Sequence, residues 1–587
     1  MRTRAIVVML VALICSYGLL AARCFYLQCL KCDYYTGRAI RQQLARLPQA
    51  APRGPILDCR GRILAASTCQ WVAFVEPRIV TDAKVLAEQL SLLLHMPGPD
   101  ICKAVLEAKN PGYVRIKSGL TSTEVAAIRK VRGAGAHQEW VRYYPMGQLC
   151  SGVVGFTSKD GSGLAGLELA FDQQLAGQRW QEVFLSDVAR RPLKPVADDK
   201  DALVLAEDLM GSGLVLTIDS AIQHFAREAL LEQLNAFEAS WAVAIVADPK
   251  NGAILAMVSL PDFDPNQPGR FDPNTLANHA IQDQFEPGSV IKPIVAAIAL
   301  DAGLVTTDEL IDCEDGVYRG KGFGVITEYS HHRYGKMDLR AVLAHSSNIG
   351  MAKIGQRAGP VVLYNGLSLF GFGKATGIGL PGEAKGLLRP PQTWTGYSIT
   401  RVPFGQEIGV TCIQITKAIC ILANDGRLVR PYLVKAIIEP SGNLQTRHRS
   451  YQMAAQVGYI VRPEVARWLV RDAMVAVVEE GTGRPARLDN WQVFGKTGTA
   501  QVARQDGPGY QEDAYIASFV GGAPAEDPQV VVCVVICRPN VRLGKGYTGG
   551  TVAAPVAKRI IERTLTYLQA KPYRVAGNSR SDYRLDM

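Results

Sequence analysis

The feature that most constrains the fold of this 587-residue chain is an apolar run close to its N-terminus. The run AIVVMLVALICSYGLLAA, residues 5–22, follows Arg2 and Arg4. About 20 predominantly apolar residues cross a bilayer, and a helix satisfies its own backbone groups there. We therefore predict a single-pass anchor over residues 5–27, with a cleaved signal peptide as the alternative. The two arginines favour a cytoplasmic N-terminus for residues 1–4, which places the body of the protein outside the cytoplasmic membrane.

The net charge of +10 is unevenly distributed along the chain. Residues 1–62 hold ten basic and two acidic side chains, and residues 571–587 hold four and two, so the remainder sums to zero. Nucleic-acid binding needs clustered charge that neutralises phosphates, so we expect no nucleic-acid partner. The polar tail, residues 571–587, is predicted to be disordered. The 13 cysteines include one C-x-x-C and no second pair at metal spacing, so we expect no metal and no cofactor.

The rest of the chain divides into two predicted domains. Residues 28–211 mix short strands and helices and contain no nucleophile–base spacing, which indicates a non-catalytic pedestal. Residues 212–570 have strands at both ends and helices between them. This order predicts one antiparallel sheet packed by helices, an α+β or α/β sandwich rather than a series of βαβ units.

A candidate nucleophile lies in FEPGSVIKPIVAAIAL, residues 285–300. Pro287 and Gly288 interrupt the chain and a helix is predicted to start at Ser289, so Ser289 and Lys292 share the face of its first turn. A hydroxyl needs a base to become a good nucleophile, and a lysine serves only if its pKa falls far below about 10.4. The apolar helix after Lys292 implies the burial that lowers such a pKa. An N-cap serine with a surface lysine is the alternative interpretation of this motif alone.

Two further motifs follow in the chain, Ser346-Ser347-Asn348 in LAHSSNIG and Lys496-Thr497-Gly498 in WQVFGKTGTAQVA. The second contains the Gly-Lys-Thr of a phosphate-binding loop, but Asn490 stands where that loop requires glycine. A strand that holds a substrate carboxylate fits its apolar flanks better.

S-x-x-K, S-x-N and K-T-G in this order are typical of penicillin-binding proteins and serine β-lactamases. The segment RGPILDCRGRILA, residues 53–65, resembles the family's R-G-x-I-x-D-x-x-G-x-x-L-A hairpin, with Cys59 in place of the usual arginine. From the anchor to about Leu568 the chain is similar to a class B, monofunctional penicillin-binding protein.

The resemblance implies a peptidoglycan D,D-transpeptidase. In that family a serine attacks the carbonyl between two D-alanines of a stem peptide, forms an acyl-enzyme and releases the terminal D-alanine. The implied roles are nucleophile for Ser289, base for Lys292, proton relay for Ser346, donor-amide contact for Asn348, and carboxylate-holding strand for Lys496, Thr497, Gly498 and Thr499.

Three physical expectations accompany these roles. The backbone N–H groups of Ser289 and Thr499 would form an oxyanion hole. The positive charge of Lys496 would disfavour protonation of Lys292. Gly498 would keep a side chain away from the substrate edge of the strand.

The block RVPFGQEIGVTCIQITKAICILANDGRLVRPYLV, residues 401–434, resembles septal cell-division transpeptidases more than elongation-specific ones, which remain the alternative. The resemblance implies covalent binding of β-lactams, a SEDS-type glycan polymerase and other divisome membrane proteins as partners, and a location in the cytoplasmic membrane at the septum. A β-lactam sensor would have several spans, a dead scaffold would have lost a motif residue, and a β-lactamase would need a residue that activates the deacylating water. These three are less favoured alternatives.

Overall fold

The computed structural model describes residues 2–108, 110, 112–158, 160–186, 192–195, 209–267, 271–440, 443–446, 458–504, 507 and 509–572. They form two compact units. The first unit comprises Met1–Pro52, Thr68–Val141 and Ala176–Gly211, and the second comprises Arg53–Ser67, Arg142–Leu175 and Ser212–Met587. The predicted disordered tail lies outside the described residues from residue 573 onward.

The apolar run is helical. An α-helix spans Arg2–Phe25, a single π-helical turn spans Tyr26–Leu30, and a further helix spans Cys32–Gln43. In the part of the chain that is described, Thr3–Leu30 is the one segment long and apolar enough to cross a membrane, judged by length and composition. This segment contains the whole of the predicted anchor.

The first unit contains two small sheets. One is antiparallel in the order Leu44–Ala50, Arg179–Ser186, Pro192–Pro195. In the other, the later residues of strand Ile63–Val75 pair with Val114–Ser118 and with Ala134–Tyr143. Helices Ala83–Leu94, Gly98–Leu106 and Ser122–Ile128 share an apolar core with this second sheet.

The second unit is built on a five-stranded sheet, here called the central sheet. Its strand order is Ile254–Leu260, Trp241–Ala247, Val530–Cys537, Tyr510–Ala523, Phe494–Ala503, and every pair is antiparallel. The outer strands come from opposite ends of the unit's sequence, with the helices between them. The predicted fold class, an antiparallel sheet packed by helices, is confirmed.

Helices cover both faces of the central sheet because its strands are apolar on both sides; Val530–Cys537, for example, is buried throughout. Helices Ser220–Ala236 and Ala554–Tyr567 pack on one face, and Lys292–Asp301, Asn348–Phe370 and Cys412–Ala423 belong to the core on the other. The remaining α-helices among the described residues of the unit are Ser151–Val154, Gly166–Ala170, Asp172–Leu175, Leu339–Ala344, Gly396–Arg401, Pro463–Trp468, Met474–Glu479 and Gly549–Val552.

A second sheet of this unit includes the segment Arg53–Ser67, here called the N-terminal hairpin. Its strand order is Leu444–Thr446, Val434–Ile438, Gly213–Leu216, Ile56–Leu57 and the start of Ile63–Val75, with one parallel pair between Gly213–Leu216 and Ile56–Leu57. The unit also contains the antiparallel strand pair Ile311–Asp312 with Lys336–Met337 and the hairpin Val317–Gly320 with Gly324–Thr327.

The N-terminal hairpin is held together by local hydrogen bonds and is fixed within the second unit by an ion pair and a hydrogen bond to distant segments. The carboxylate of Asp58 is buried and accepts hydrogen bonds from the backbone N–H groups of Arg60 and Arg62. The guanidinium of Arg60 bonds Asp219 at 2.8 Å, and that of Arg62 bonds the hydroxyl of Tyr567 at 3.1 Å. We placed this segment, and Arg142–Leu175, in the pedestal on sequence grounds, whereas both group with the second unit.

Candidate active site

The candidate nucleophile lies on a tight turn. A 3₁₀ turn spans Gly288–Ile291 and the α-helix begins at Lys292, three residues later than we predicted. Pro293, in the first turn of that helix, is at a position where its missing N–H costs nothing. Ser289 is half-buried and the side chain of Lys292 is fully buried.

Close backbone approaches hold this turn in place. Gly288 has φ +55°, and its N–H donates to the carbonyl of Gly405 at 3.1 Å. A Cβ on Gly405 would lie 2.1 Å from the carbonyl oxygen of Gly288, and one on Gly288 would lie 3.1 Å from that of Thr499. Ser289 therefore follows directly after a residue packed against the third motif.

The second motif presents its first serine through a left-handed residue. Helix Leu339–Ala344 ends at His345, Ser346 has φ +61°, and Ser347 caps the next helix by accepting from the N–H of Gly350 at 2.9 Å. A non-glycine residue in this conformation is strained by about 1–2 kcal/mol. The strain is local to Ser346, one of the residues that sequence reasoning assigned to the site.

Lys292 connects the first motif to the second. Its ammonium Nζ donates to the carbonyl oxygen of Ser346 at 2.6 Å, to its hydroxyl at 3.2 Å, and to Oδ1 of Asn348 at 2.8 Å. Lys496 connects the second motif to the third, because its Nζ donates to the same Ser346 hydroxyl at 2.9 Å and to the carbonyl of Thr497 at 3.1 Å. The Ser346 hydroxyl thus lies between two buried amines, where it can pass a proton from one to the other.

The electrostatics of the two lysines have different causes. Burial lowers the pKa of Lys292 from its usual 10.5 to about 7, while the negative charge of Glu328 and the Cys313 thiol act in the opposite direction. Burial and then the positive charge of Lys292 hold the pKa of Lys496 well below its usual value. Burial is the larger cause for both lysines, and the repulsion that we expected between the two amines acts in addition, lowering the pKa of Lys496.

Thr497 and Thr499 lie on either side of Gly498 in strand Phe494–Ala503, at the edge of the central sheet. Because side chains alternate along a strand, both project from the face opposite to that of Gly498. The hydroxyl of Thr497 bonds that of Thr482 at 2.5 Å, and the hydroxyl of Thr499 accepts from the N–H of Gly549 at 3.1 Å. Thr499 is half-buried and Thr497 is buried.

The space around Gly498 gives a further structural reason for glycine at this position. A Cβ there would lie 2.4 Å from the hydroxyl oxygen of Ser518, 2.9 Å from Val290 and 3.0 Å from the carbonyl oxygen of Pro287. Glycine therefore permits close packing of the strand on the nucleophile turn and on the neighbouring strand.

Sequence reasoning missed Glu328. Its carboxylate is buried and accepts from the Ser347 hydroxyl at 2.5 Å and from the backbone N–H groups of Asn348 and Ile349 at 2.7 and 3.2 Å. A carboxylate at a helix N-terminus is stabilised by the unpaired N–H groups there. No periodicity or spacing in GVITEYSHH distinguishes this acid from a surface residue, so the sequence held no usable signal.

Comparison with known proteins agrees with this arrangement of motifs. The model of the family described as penicillin binding protein transpeptidase domain matches residues 242–562, and that of the penicillin-binding protein dimerisation domain matches residues 48–202. The chain is 32% identical over 569 residues to the probable peptidoglycan D,D-transpeptidase PenA of Neisseria gonorrhoeae, covering 96% of this chain and 92% of that protein. It is also 32% identical over 584 residues to stage V sporulation protein D of Bacillus subtilis, covering 97% and 86%.

Solved structures show the same fold. Penicillin binding protein 3 of Mycobacterium tuberculosis, in its apo form, superposes with a TM-score of 0.66 at 27% identity, covering 90% of this chain and 98% of that one. A peptidoglycan synthetase from Bifidobacterium adolescentis gives 0.68 at 25% identity, covering 91% and 99%.

The chain therefore belongs to the penicillin-binding protein transpeptidase family. Within that family it is a class B penicillin-binding protein, a serine-type peptidoglycan D,D-transpeptidase.

Proposed function

We propose that Ser289 is the acylated nucleophile of this transpeptidase and that it also binds β-lactams covalently. The observation that carries the proposal is the convergence of all three motifs on the Ser346 hydroxyl, within 3.2 Å of both lysine amines. A neutral Lys292 accepts the proton of Ser289 as the hydroxyl attacks the carbonyl of the donor D-Ala-D-Ala bond. The acyl–oxygen bond forms, the peptide C–N bond breaks, and Ser346 relays the proton to the departing amine of the terminal D-alanine.

Deacylation follows the same path in reverse. The amine of an acceptor stem peptide attacks the acyl-enzyme and loses a proton through the same groups, which regenerates Ser289 and forms the cross-link. In both steps the backbone N–H groups of Ser289 and Thr499 stabilise the oxyanion. One such donor typically lowers the activation free energy by about 2.7–4 kcal/mol. Lys496, Thr497 and Thr499 hold the donor carboxylate, and Asn348 bonds its backbone amide.

Mass spectrometry after treatment with benzylpenicillin tests the nucleophile. We expect the full-length protein to gain one penicilloyl group on the peptide that contains Ser289, and the Ser289→Ala variant to gain none while keeping the wild-type unfolding temperature. Ser368→Ala, on helix Asn348–Phe370, is the matched control and should be acylated normally. Covalent labelling of Ser289→Ala at another serine would contradict the assignment.

We further propose that cross-linking takes place at the division septum, outside the cytoplasmic membrane, with Thr3–Leu30 as the anchor. The resemblance of the block at residues 401–434 to septal transpeptidases supports the septal role, and the length and hydropathy of Thr3–Leu30 support the anchor. Depletion of the protein should give filamentous cells, since elongation continues without septa. Rounded cells that still divide would favour the alternative, an elongation-specific transpeptidase.

The proposed partners are a SEDS-type glycan polymerase and other divisome membrane proteins, which the membrane confines to the plane of the anchor. Replacing residues 5–22 with an unrelated apolar helix should preserve penicillin acylation and impair division. Normal division with the replaced helix would show that the anchor is only a tether.

A further inference from the structure

Three tyrosines form a cluster beside the candidate active site. The rings of Tyr515 and Tyr547 stack with centroids 4.1 Å apart and an interplanar angle of 23°. The hydroxyl of Tyr547 lies 3.3 Å from that of Tyr329, whose side chain is 48% exposed. Burial, followed by the hydrogen bond to Tyr547, raises the pKa of Tyr329 to about 12, so the Tyr329 phenol is protonated at neutral pH.

Tyr329 belongs to the wall of the site that carries the second motif. It directly follows Glu328, whose carboxylate bonds Ser347 and the backbone of Asn348. The backbone carbonyl of Thr327, the residue before Glu328, accepts a hydrogen bond from the side-chain amide of Asn348 at 3.1 Å. The two residues that precede Tyr329 are therefore held by contacts with the second motif.

The backbone after Tyr329 limits where its ring can go. Ser330 and His331 both have left-handed φ values, +54° and +56°. Two consecutive non-glycine residues in the left-handed region are uncommon, and they leave the backbone of this turn few alternative conformations. The ring of Tyr329 is thus presented by a defined turn rather than by a free loop.

Tyr547 belongs to the opposite wall, which carries the third motif. It stands two residues before Gly549, whose N–H donates to the hydroxyl of Thr499. A Cβ on Gly549 would lie 2.3 Å from the carbonyl oxygen of Gly498, so this segment is packed directly on the motif strand. Its stacking partner Tyr515 pairs in register with Gln501 of that strand.

The two walls are thus joined at two levels. Lys496 bonds Ser346 at the buried floor, and Tyr329 bonds Tyr547 at the solvent-exposed rim. We propose that the hydroxyl pair of Tyr329 and Tyr547 is a specificity-determining bridge across the mouth of the cleft, which a ligand with a bulky acyl group must part before Ser289 is acylated. The inference rests on the proposed role of Ser289. It adds that the rate of acylation depends on the size of the ligand's acyl group.

The test compares acylation of the full-length protein by a small and a bulky β-lactam. 6-Aminopenicillanic acid carries no acyl side chain, and piperacillin carries a large aryl-containing one. Loss of one neutral, partly exposed hydrogen bond changes a rate by roughly 2- to 10-fold. We therefore expect Tyr329→Phe to be acylated roughly 2- to 10-fold faster by piperacillin and at the wild-type rate by 6-aminopenicillanic acid.

A matched control removes another tyrosine hydroxyl close in sequence. The hydroxyl of Tyr318, on the hairpin before Tyr329, bonds Gln356 at 2.9 Å and lies outside this cluster. Tyr318→Phe should react with both ligands at the wild-type rate. Equal acceleration of both ligands in Tyr329→Phe would overturn the proposal, because a general loosening of the site does not discriminate by size.

A double-mutant cycle tests the pair itself. Tyr547→Phe removes the same hydrogen bond, so it should have the same effect as Tyr329→Phe, and the double variant should add nothing. Multiplicative effects of the two substitutions would overturn the bridge. If the wild-type protein is acylated normally and both variants keep its ratio of piperacillin to 6-aminopenicillanic acid acylation rates, the bridge alone is overturned. Absence of any acylation at Ser289 would overturn the proposed function as well.

Discussion

Replacing Glu328 by glutamine should move the pH profile of acylation to lower pH. In the proposed mechanism the neutral amine of Lys292, whose pKa is about 7, takes the proton of Ser289, so the wild-type rate should fall about tenfold per pH unit below neutrality. The negative charge of Glu328 holds this pKa higher than burial alone would. Glutamine keeps an acceptor for Ser347 and removes the charge.

The size of the shift follows from how Asn348 links the two groups. Its side-chain oxygen accepts from Lys292 at 2.8 Å and its backbone N–H donates to Glu328 at 2.7 Å. Charges about 6–8 Å apart at an effective dielectric of about 20 interact by about 2–3 kcal/mol. Since one pKa unit corresponds to about 1.36 kcal/mol, the profile should move down by about 1.5–2 pH units.

The assay is the second-order rate constant for acylation by benzylpenicillin between pH 5 and 8.5, with each variant normalised to its own plateau. Normalisation separates the position of the profile from any loss of rate through helix capping. At pH 6 the wild-type protein should retain roughly a tenth of its plateau rate and Glu328→Gln most of it. A profile that stays in place or moves to higher pH would refute the assignment of Lys292 as base, and so would a wild-type rate independent of pH.

Three further outcomes are expected. Lys292→Met should raise the unfolding temperature, and by more at pH 6 than at pH 9. The pKa of Lys292 is about 7 in the folded state and 10.5 in the unfolded state, so between these pH values only the unfolded state is protonated, and the full cost of burying the ammonium is reached only below about pH 7. An equal rise in unfolding temperature at both pH values would contradict this. Gly498→Ala should lower the free energy of unfolding by about 1–3 kcal/mol in urea and slow acylation, because its Cβ meets Ser518 and the nucleophile turn; a wild-type urea midpoint would contradict it. Arg53→Met should cost about 3 kcal/mol in the same measurement, since it removes one partner of the buried carboxylate of Glu168, 2.8 Å away; a change below about 0.5 kcal/mol would show the pair to be dispensable.

The three motifs of the candidate site could be recognised from sequence because each is short and local. Ser289 and Lys292 are three residues apart on one turn, and the order of the three motifs made their meeting predictable through family resemblance. The predicted start of the helix Lys292–Asp301 was three residues too early, although Pro293 already indicates a first turn at Lys292. Features that depend on neighbouring residues in the sequence could thus be predicted.

What escaped prediction depends on tertiary contacts. Glu328 acquires its role only when the hairpin before it meets the start of the Asn348–Phe370 helix. The same holds for the surroundings of Cys59, the position at which the family's hairpin usually has arginine. Here Arg60, the next residue, bonds Asp219 at 2.8 Å, and the Cys59 thiol lies 3.8 Å from the same carboxylate. Which neighbour reaches a partner 159 positions away is not encoded in local spacing.

The attachment of the N-terminal hairpin has a consequence for the order in which the enzyme matures. Arg62 and its partner Tyr567 are 505 positions apart in the sequence. At a synthesis rate of roughly 5–20 residues per second, the hairpin waits about 25–100 s before the helix that receives it has been made. The catalytic unit therefore closes last, after almost the whole chain has been translated. A ribosome that stops before Tyr567 releases a chain whose N-terminal hairpin lacks this partner.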